Sequence, residues 1–213
     1  MARSATPTVF FDQAMRTLAG PGRGGLRIGP LCAAVGVTSG SFYHHFGSWD
    51  GFVAALLEHW ATEEVDRIGE IVRARTDPLE RIALLKDLSL SVPHEAEAAI
   101  RAWSGTDPVV AAAQRRVDEG RRAVLVDVLA PVVADTELRA TLAEVGMGIL
   151  IGHQTLRGEG PGADLADKLD QFELLVRAHA RGELDGVGTT LGSEPAPWAA
   201  RARPVPARGP GTP

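Results

Sequence analysis

From Phe11 to His179 the apolar residues return every three or four positions, and nowhere do they alternate along a run bounded by a hairpin turn. That rhythm makes helices with one buried face and leaves no material for a sheet. Phe11, Ala14, Met15 and Leu18 predict a helix over about residues 8–19, stopped by Gly20-Pro21-Gly22 and Gly24-Gly25. Ile28 to Val35 reads as a short second helix, with Pro30 tolerable in its first turn. Residues of about 39–45 make a third. Ser48 as N-cap, with Asp50 in the first turn, opens a longer fourth helix. Its stripe of Val53, Leu56, Leu57, Trp60, Ile68, Ile71 and Val72 runs on to Asp77-Pro78. Leu79 to Leu90 and Glu95 to Trp103 follow, separated by Val92-Pro93, and Asp107-Pro108 caps and starts a helix to about Leu129. Thr136 to Leu156, and a last stripe from Leu165 to His179, complete an all-α expectation.

The distribution of charge matters more than its total of −5. Residues 1–48 carry four Arg against the single Asp12, a balance of +3, whereas residues 49–194 stand at −11. A basic head on an acidic body can face a polyanion while the rest stays in solution. Residues 186–213 hold six Pro and five Gly, among them three Arg and little to bury, and read as a disordered tail. One cysteine, Cys32, excludes an internal disulfide. No apolar run approaches the ~20 residues of a membrane span, and the N-terminus lacks a secretory core, so a cytoplasmic protein is expected.

The informative stretch is Ile28 to Phe46, IGPLCAAVGVTSGSFYHHF. Two short helices meet through Val35-Gly36-Val37-Thr38, where Gly36 supplies the residue that tolerates left-handed backbone angles. Cys32 or Ala33 is small enough for the crossing, and Leu31, Val35, Val37 and Phe42 are spaced to lock the pair. The second helix begins Thr38-Ser39-Gly40-Ser41, whose small hydroxyls leave amides open to a phosphate and allow close approach to base edges. Tyr43 and His44 lie one turn further on, within reach of a DNA backbone. The same residues also describe an ordinary capped helical corner.

What singles out DNA binding is a resemblance. Ala14, Leu18-Ala19 and Gly25, then Ile28, Leu31, Ala33 and Gly36-Val37, and above all Gly40-Ser41-Phe42-Tyr43-His44-His45-Phe46-Gly47-Ser48, make Val9 to Leu57 similar to the DNA-binding domain of the TetR family of transcriptional regulators. The resemblance implies that Thr38, Ser39, Gly40 and Ser41 begin a recognition helix, that Tyr43 and His44 contact phosphates, and that Phe42 and Phe46 are core. Arg27 stands where the family often has Thr, as a phosphate contact or a solvated side chain. Cys32 replaces a usual Ala as a packed small residue. Two departures are Gly29-Pro30, in place of a polar pair, and Trp49, where the family usually carries a phosphate-binding Lys. Loss of that cation weakens the salt-dependent part of DNA binding, and the indole packs on the core or stacks on sugar instead.

Beyond residue 57 the resemblance is one of architecture: a helical effector-binding and dimerisation domain. The expected division is 1–48 for DNA binding, 49–185 for effector and dimer, and 186–213 for the tail. Trp60, Leu88, Trp103, Val117 and Gln154 are candidates to line the pocket of an unidentified, largely apolar effector, with His94 and His153 as further polar groups. Gly148, Ile149, Gly152, Leu169, Phe172 and Val176 are candidates for a homodimer interface, the glycines allowing close two-fold packing. A dimer is required to reach successive major grooves of a palindromic double-stranded operator about 34 Å apart.

Enzymes fare poorly. There is no GxSxG, no Gly-rich phosphate loop after a strand, and His94-Glu95 lacks the second His of a zinc-protease helix. His59 and Glu63 are one turn apart without a third ligand, so neither a metal nor a cofactor is expected. The resulting expectation is a dimeric repressor released from its operator by a small molecule. The rival reading is a helical ligand-binding or interaction module that has lost DNA binding.

Overall fold

A computed structural model of the chain describes residues 6–156 and 163–184; the tail expected over 186–213 lies outside the described residues. Ten α-helices account for their regular structure together with one 3-10 turn and one π-helical segment. The helices are α1 Pro7–Ala19, α2 Ile28–Val35, α3 Ser39–Phe46, α4 Trp49–Ala61, α5 Ile68–Arg73, α6 Pro78–Ser91, α7 His94–Ser104, α8 Pro108–Leu129, α9 Thr136–Leu156 and α10 Ala163–Ala180. No strand occurs among the described residues.

Local chemistry explains where these helices begin and end. The Ser48 hydroxyl accepts from the Gly51 amide at 2.9 Å. The Asp77 carboxylate accepts from the amides of Leu79 and Glu80, and Asp107 does the same for Val109 and Val110. Each of these aspartates precedes a proline at the first helical position, where no amide is missed. Asp135 caps α9 through Glu137 and Leu138. Gly36 ends α2 at φ +78°, with its amide and that of Val37 bonded back to Cys32. α2 starts at Ile28, with Gly29-Pro30 in its first turn.

One expectation is modified. The stripe from Val53 to Val72 predicts a single helix, but the chain widens into a π-helical segment at Thr62–Arg67 before α5 resumes. Gly120 on α8 faces this segment so closely that a Cβ there would lie 2.5 Å from a Val65 methyl carbon. The two helices approach because one of them has no side chain.

Two apolar clusters make up the core. The first joins Phe10, Phe42 and Phe52 of the head to Trp60, to Ala96, Ile100 and Trp103 of α7, and to Val110 and Val117 of α8. Its rings pack edge-on: Phe10 and Phe46 lie 5.3 Å apart, and Phe46 and Phe52 5.0 Å. This cluster runs without a break across residue 48. The second holds Ile68, Val72, Ile82, Val124, Val128, Leu142, Phe172 and Val176. At the outer seam of the first, the Arg23 guanidinium lies 4.4 Å from the Trp103 ring centre and 5.5 Å from that of Trp49.

Candidate nucleic-acid interface and ligand cavity

The helix-turn-helix is held from below by aromatic packing. Phe42 is fully buried between Phe10 and Phe52, so the opposite side of α3 must face outward. Thr38, Ser39, Gly40, Tyr43 and His44 are exposed, and Ser41 is half-buried. Tyr43 is the exception among the aromatic residues of this helix, with 51% of its surface exposed. Thr38 occupies the N-cap position in extended conformation but makes no side-chain cap, leaving its hydroxyl available. Arg27 holds the equivalent position before α2, exposed and likewise uncapped. Trp49 packs on the core beside Phe52, at 5.5 Å, with Arg23 over its ring. Cys32 is buried, and burial pushes its thiol up, away from the reactive thiolate.

The body contains a partly open cavity between the π segment, α5, α6, α8, α9 and α10. Its wall is mainly aliphatic, from Ile68, Ile82, Val124, Met147 and Leu150. A β-carbon on Gly146 would lie 2.8 Å from Leu125 and 3.1 Å from Phe172, so the glycine lets α9 close the wall.

None of the five side chains expected to line a pocket lines this cavity. Trp60, Trp103 and Val117 are buried in the first core cluster, where they fill the junction of head and body. Leu88 packs on the second cluster, and Gln154 enters a buried polar layer. The expected dimer residues also divide. Leu169, Phe172 and Val176 are buried inside the protomer, and the first two line the cavity. The exposed large apolar residues of α10 are Leu174 and Leu175. On α9 Gly148 and Gly152 have open space where a side chain would be, Ile149 is half-buried, and Val145 and Leu156 are exposed along the same face. His94 and His153 meet edge-on at 4.9 Å away from the cavity. His59 stacks on Phe11, and Glu63 pairs with Arg67, so that pair does not converge. No cluster of three or more potential metal ligands occurs among the described residues. No described helix is long and apolar enough to cross a membrane.

The polar layer was not foreseen. Arg121, on α8 between Val117 and Val124 with 10% of its side chain exposed, grips both oxygens of Glu97 at 2.6 and 2.9 Å and one oxygen of Glu64 at 2.8 Å. Trp60 Nε1 and Gln154 Nε2 also donate to Glu97, which is only 1% exposed. Arg101 forms a two-pronged pair with Asp118 and touches Gln154. Burial first, and then the charge of Glu97, pushes the Glu64 carboxyl above the usual carboxylate range, with Arg121 opposing. The missed signal was a charge in core register on each of three helices: Glu64 between Trp60 and Ile68, Glu97 between Ala96 and Ile100, and Arg121 after Val117.

An all-helical protein with an outward second helix on a compact helix-turn-helix belongs to a known structural class, and the comparisons name it: the chain has the fold of TetR-type transcriptional regulators. A transcriptional regulator from Rhodococcus sp. Rha1 superposes with a TM-score of 0.67 at 21% identity, covering 81% of this chain and 96% of its own. The reduced form of NemR from E. coli gives 0.67 at 18%, with the same coverages. A TetR transcription regulator from Haloarcula marismortui gives 0.63 at 21%, covering 83% and 96%. The likeness is one of fold. No protein-family model matches the chain, and no curated protein matches it in sequence.

Proposed function

We propose that the protein is a dimeric DNA-binding transcriptional regulator, a cytoplasmic repressor and not an enzyme, released from a palindromic operator by a small molecule held in the cavity. The observation that carries this reading is the outward face of α3, with its row of small hydroxyls, Tyr43 and His44 above a core that fixes the helix. Residues 1–48 act as the DNA-reading unit and residues 49–185 as the effector and dimer unit. Thr38, Ser39, Gly40 and Ser41 meet base edges and nearby phosphates, while Arg27, Tyr43 and His44 hold the backbone. The fold neighbours, regulators themselves, support this assignment. The outward stripe of Val145, Gly148, Ile149, Gly152 and Leu156 on α9, together with Leu174 and Leu175 on α10, is the face offered for the two-fold contact.

The reading is tested by a gel shift on the DNA upstream of the protein's own gene. Tyr43→Ala and His44→Ala are expected to weaken binding on all sequences, as the loss of backbone contacts does. Unchanged affinity at moderate salt removes α3 from the interface. Absence of any shift by the unaltered chain favours the rival, a ligand-binding module without DNA.

A further inference from the structure

The polar groups around the cavity are unequally satisfied. Ser89 Oγ donates to the Leu85 carbonyl at 2.8 Å, and Lys86 Nζ is held by Asp170 and Glu173 at 2.8 and 2.7 Å. Arg121 divides its donors between two carboxylates, and Glu97 is fully occupied by Arg121, Trp60 and Gln154. Glu64 is different. Its Oε2 accepts from Arg121, but its Oε1 accepts no hydrogen bond from the described residues, although the side chain is buried and lines the cavity. The charges do not balance either. Glu64 and Glu97 share the single guanidinium of Arg121, while the cations nearby are committed elsewhere, Arg67 to Glu63 and Arg101 to Asp118.

A buried carboxylate with one unfilled oxygen and half a counter-ion selects its ligand by charge. An anion would face two carboxylates and find the donors of Arg121 taken. A hydroxyl would fill the oxygen and leave the charge. We propose that the cavity binds a largely apolar molecule carrying one protonated amine, with the ammonium against Glu64 Oε1 and the hydrocarbon along Ile68, Ile82, Met147 and Leu150. Burial and the charge of Glu97 hold the Glu64 carboxyl above the usual carboxylate range against the pull of Arg121, in keeping with a charge that is only partly compensated. The inference rests on the reading of the cavity as the effector site. It also gives that site a route to the head, because Glu64 sits in the continuation of α4, and Arg121, its partner, fixes Glu97 against Trp60 of the same helix.

The test is calorimetric titration of the full chain, without DNA, by phenylbutylamine, phenylbutanol and phenylbutyrate. The amine is expected to bind roughly tenfold or more tighter than the alcohol, as suits a charge-assisted hydrogen bond, with the acid weakest. Glu64→Gln is expected to remove the advantage of the amine while leaving the alcohol within about threefold. Equal binding of amine and alcohol overturns the proposal, as does preference for the acid, an amine advantage that survives in Glu64→Gln, or no binding of the amine. The three-ligand series on the unaltered chain decides the matter even if Glu64→Gln fails to fold. A gel shift on the same preparation separates the two readings. DNA binding without amine binding removes only the amine site, whereas amine binding without DNA binding removes the regulator and leaves the site.

Discussion

At the scale of single residues, the buried charges dominate. Glu97 accepts from Arg121, Trp60 and Gln154, so truncation to alanine leaves the Arg121–Glu64 pair but strips those donors of their acceptor. Glu97→Ala is expected to destabilise the fold by about 2–4 kcal/mol, read from urea denaturation, because buried donors left without partners keep their desolvation cost. Glu173 gives the pH dependence a sign. Burial alone would raise its carboxyl, but hydrogen bonds from Lys86 and Arg177 hold it below the usual range. A lowered acid contributes stability above its unfolded value, about 4.3, and loses it as pH falls through the lower folded value. Thermal melts should therefore drop as pH falls below about 4.3, and less steeply in Glu173→Gln. Some of this scale was legible in the sequence: Phe42 and Cys32 were expected to be buried and are. Glu64, Glu97 and Arg121 were not, because charged side chains are so rarely interior that a lone one in core register reads as solvated. Only the convergence of the π segment, α7 and α8 makes them partners.

At the scale of elements, caps and turns were the readable part. Asp77-Pro78, Asp107-Pro108, Ser48 and Gly36 act within a few residues of themselves, so they carry their meaning in the chain. The π segment at Thr62–Arg67 had no such local sign, and the glycine that Val65 packs against lies on another helix, at position 120. Gly120 presses α8 onto Val65. Gly120→Ala should thus lose about 1–3 kcal/mol to overpacking, despite the gain in helix propensity. Val65→Ala in the same chain should restore part of the loss, a non-additivity that a double-mutant cycle measures directly.

At the scale of the whole molecule, the all-α architecture followed from periodicity, but the cavity did not. Its wall comes from six elements, and sequence spacing orders residues only along one helix at a time. Large side chains such as Trp60 and Trp103 suggested a pocket, whereas they fill the junction of head and body. The proposed dimer face is likewise a property of two helices together. Leu174 is 55% exposed on that face, so Leu174→Glu is expected to shift sedimentation from dimer to monomer and to weaken the proposed operator binding in parallel. Monomeric sedimentation of the unaltered chain would place the contact elsewhere.

The Arg23 clasp on Trp49 and Trp103 has a consequence for the way such a molecule answers its surroundings. Attraction between a guanidinium and aromatic faces acts at contact range and includes dispersion, so counter-ions blunt it less than they blunt a grip on phosphates. If α3 grips DNA as proposed, rising ionic strength would then loosen that grip before it parted Arg23 from Trp49 and Trp103. On that reading the protein would leave the duplex with α3 still fixed on its aromatic core.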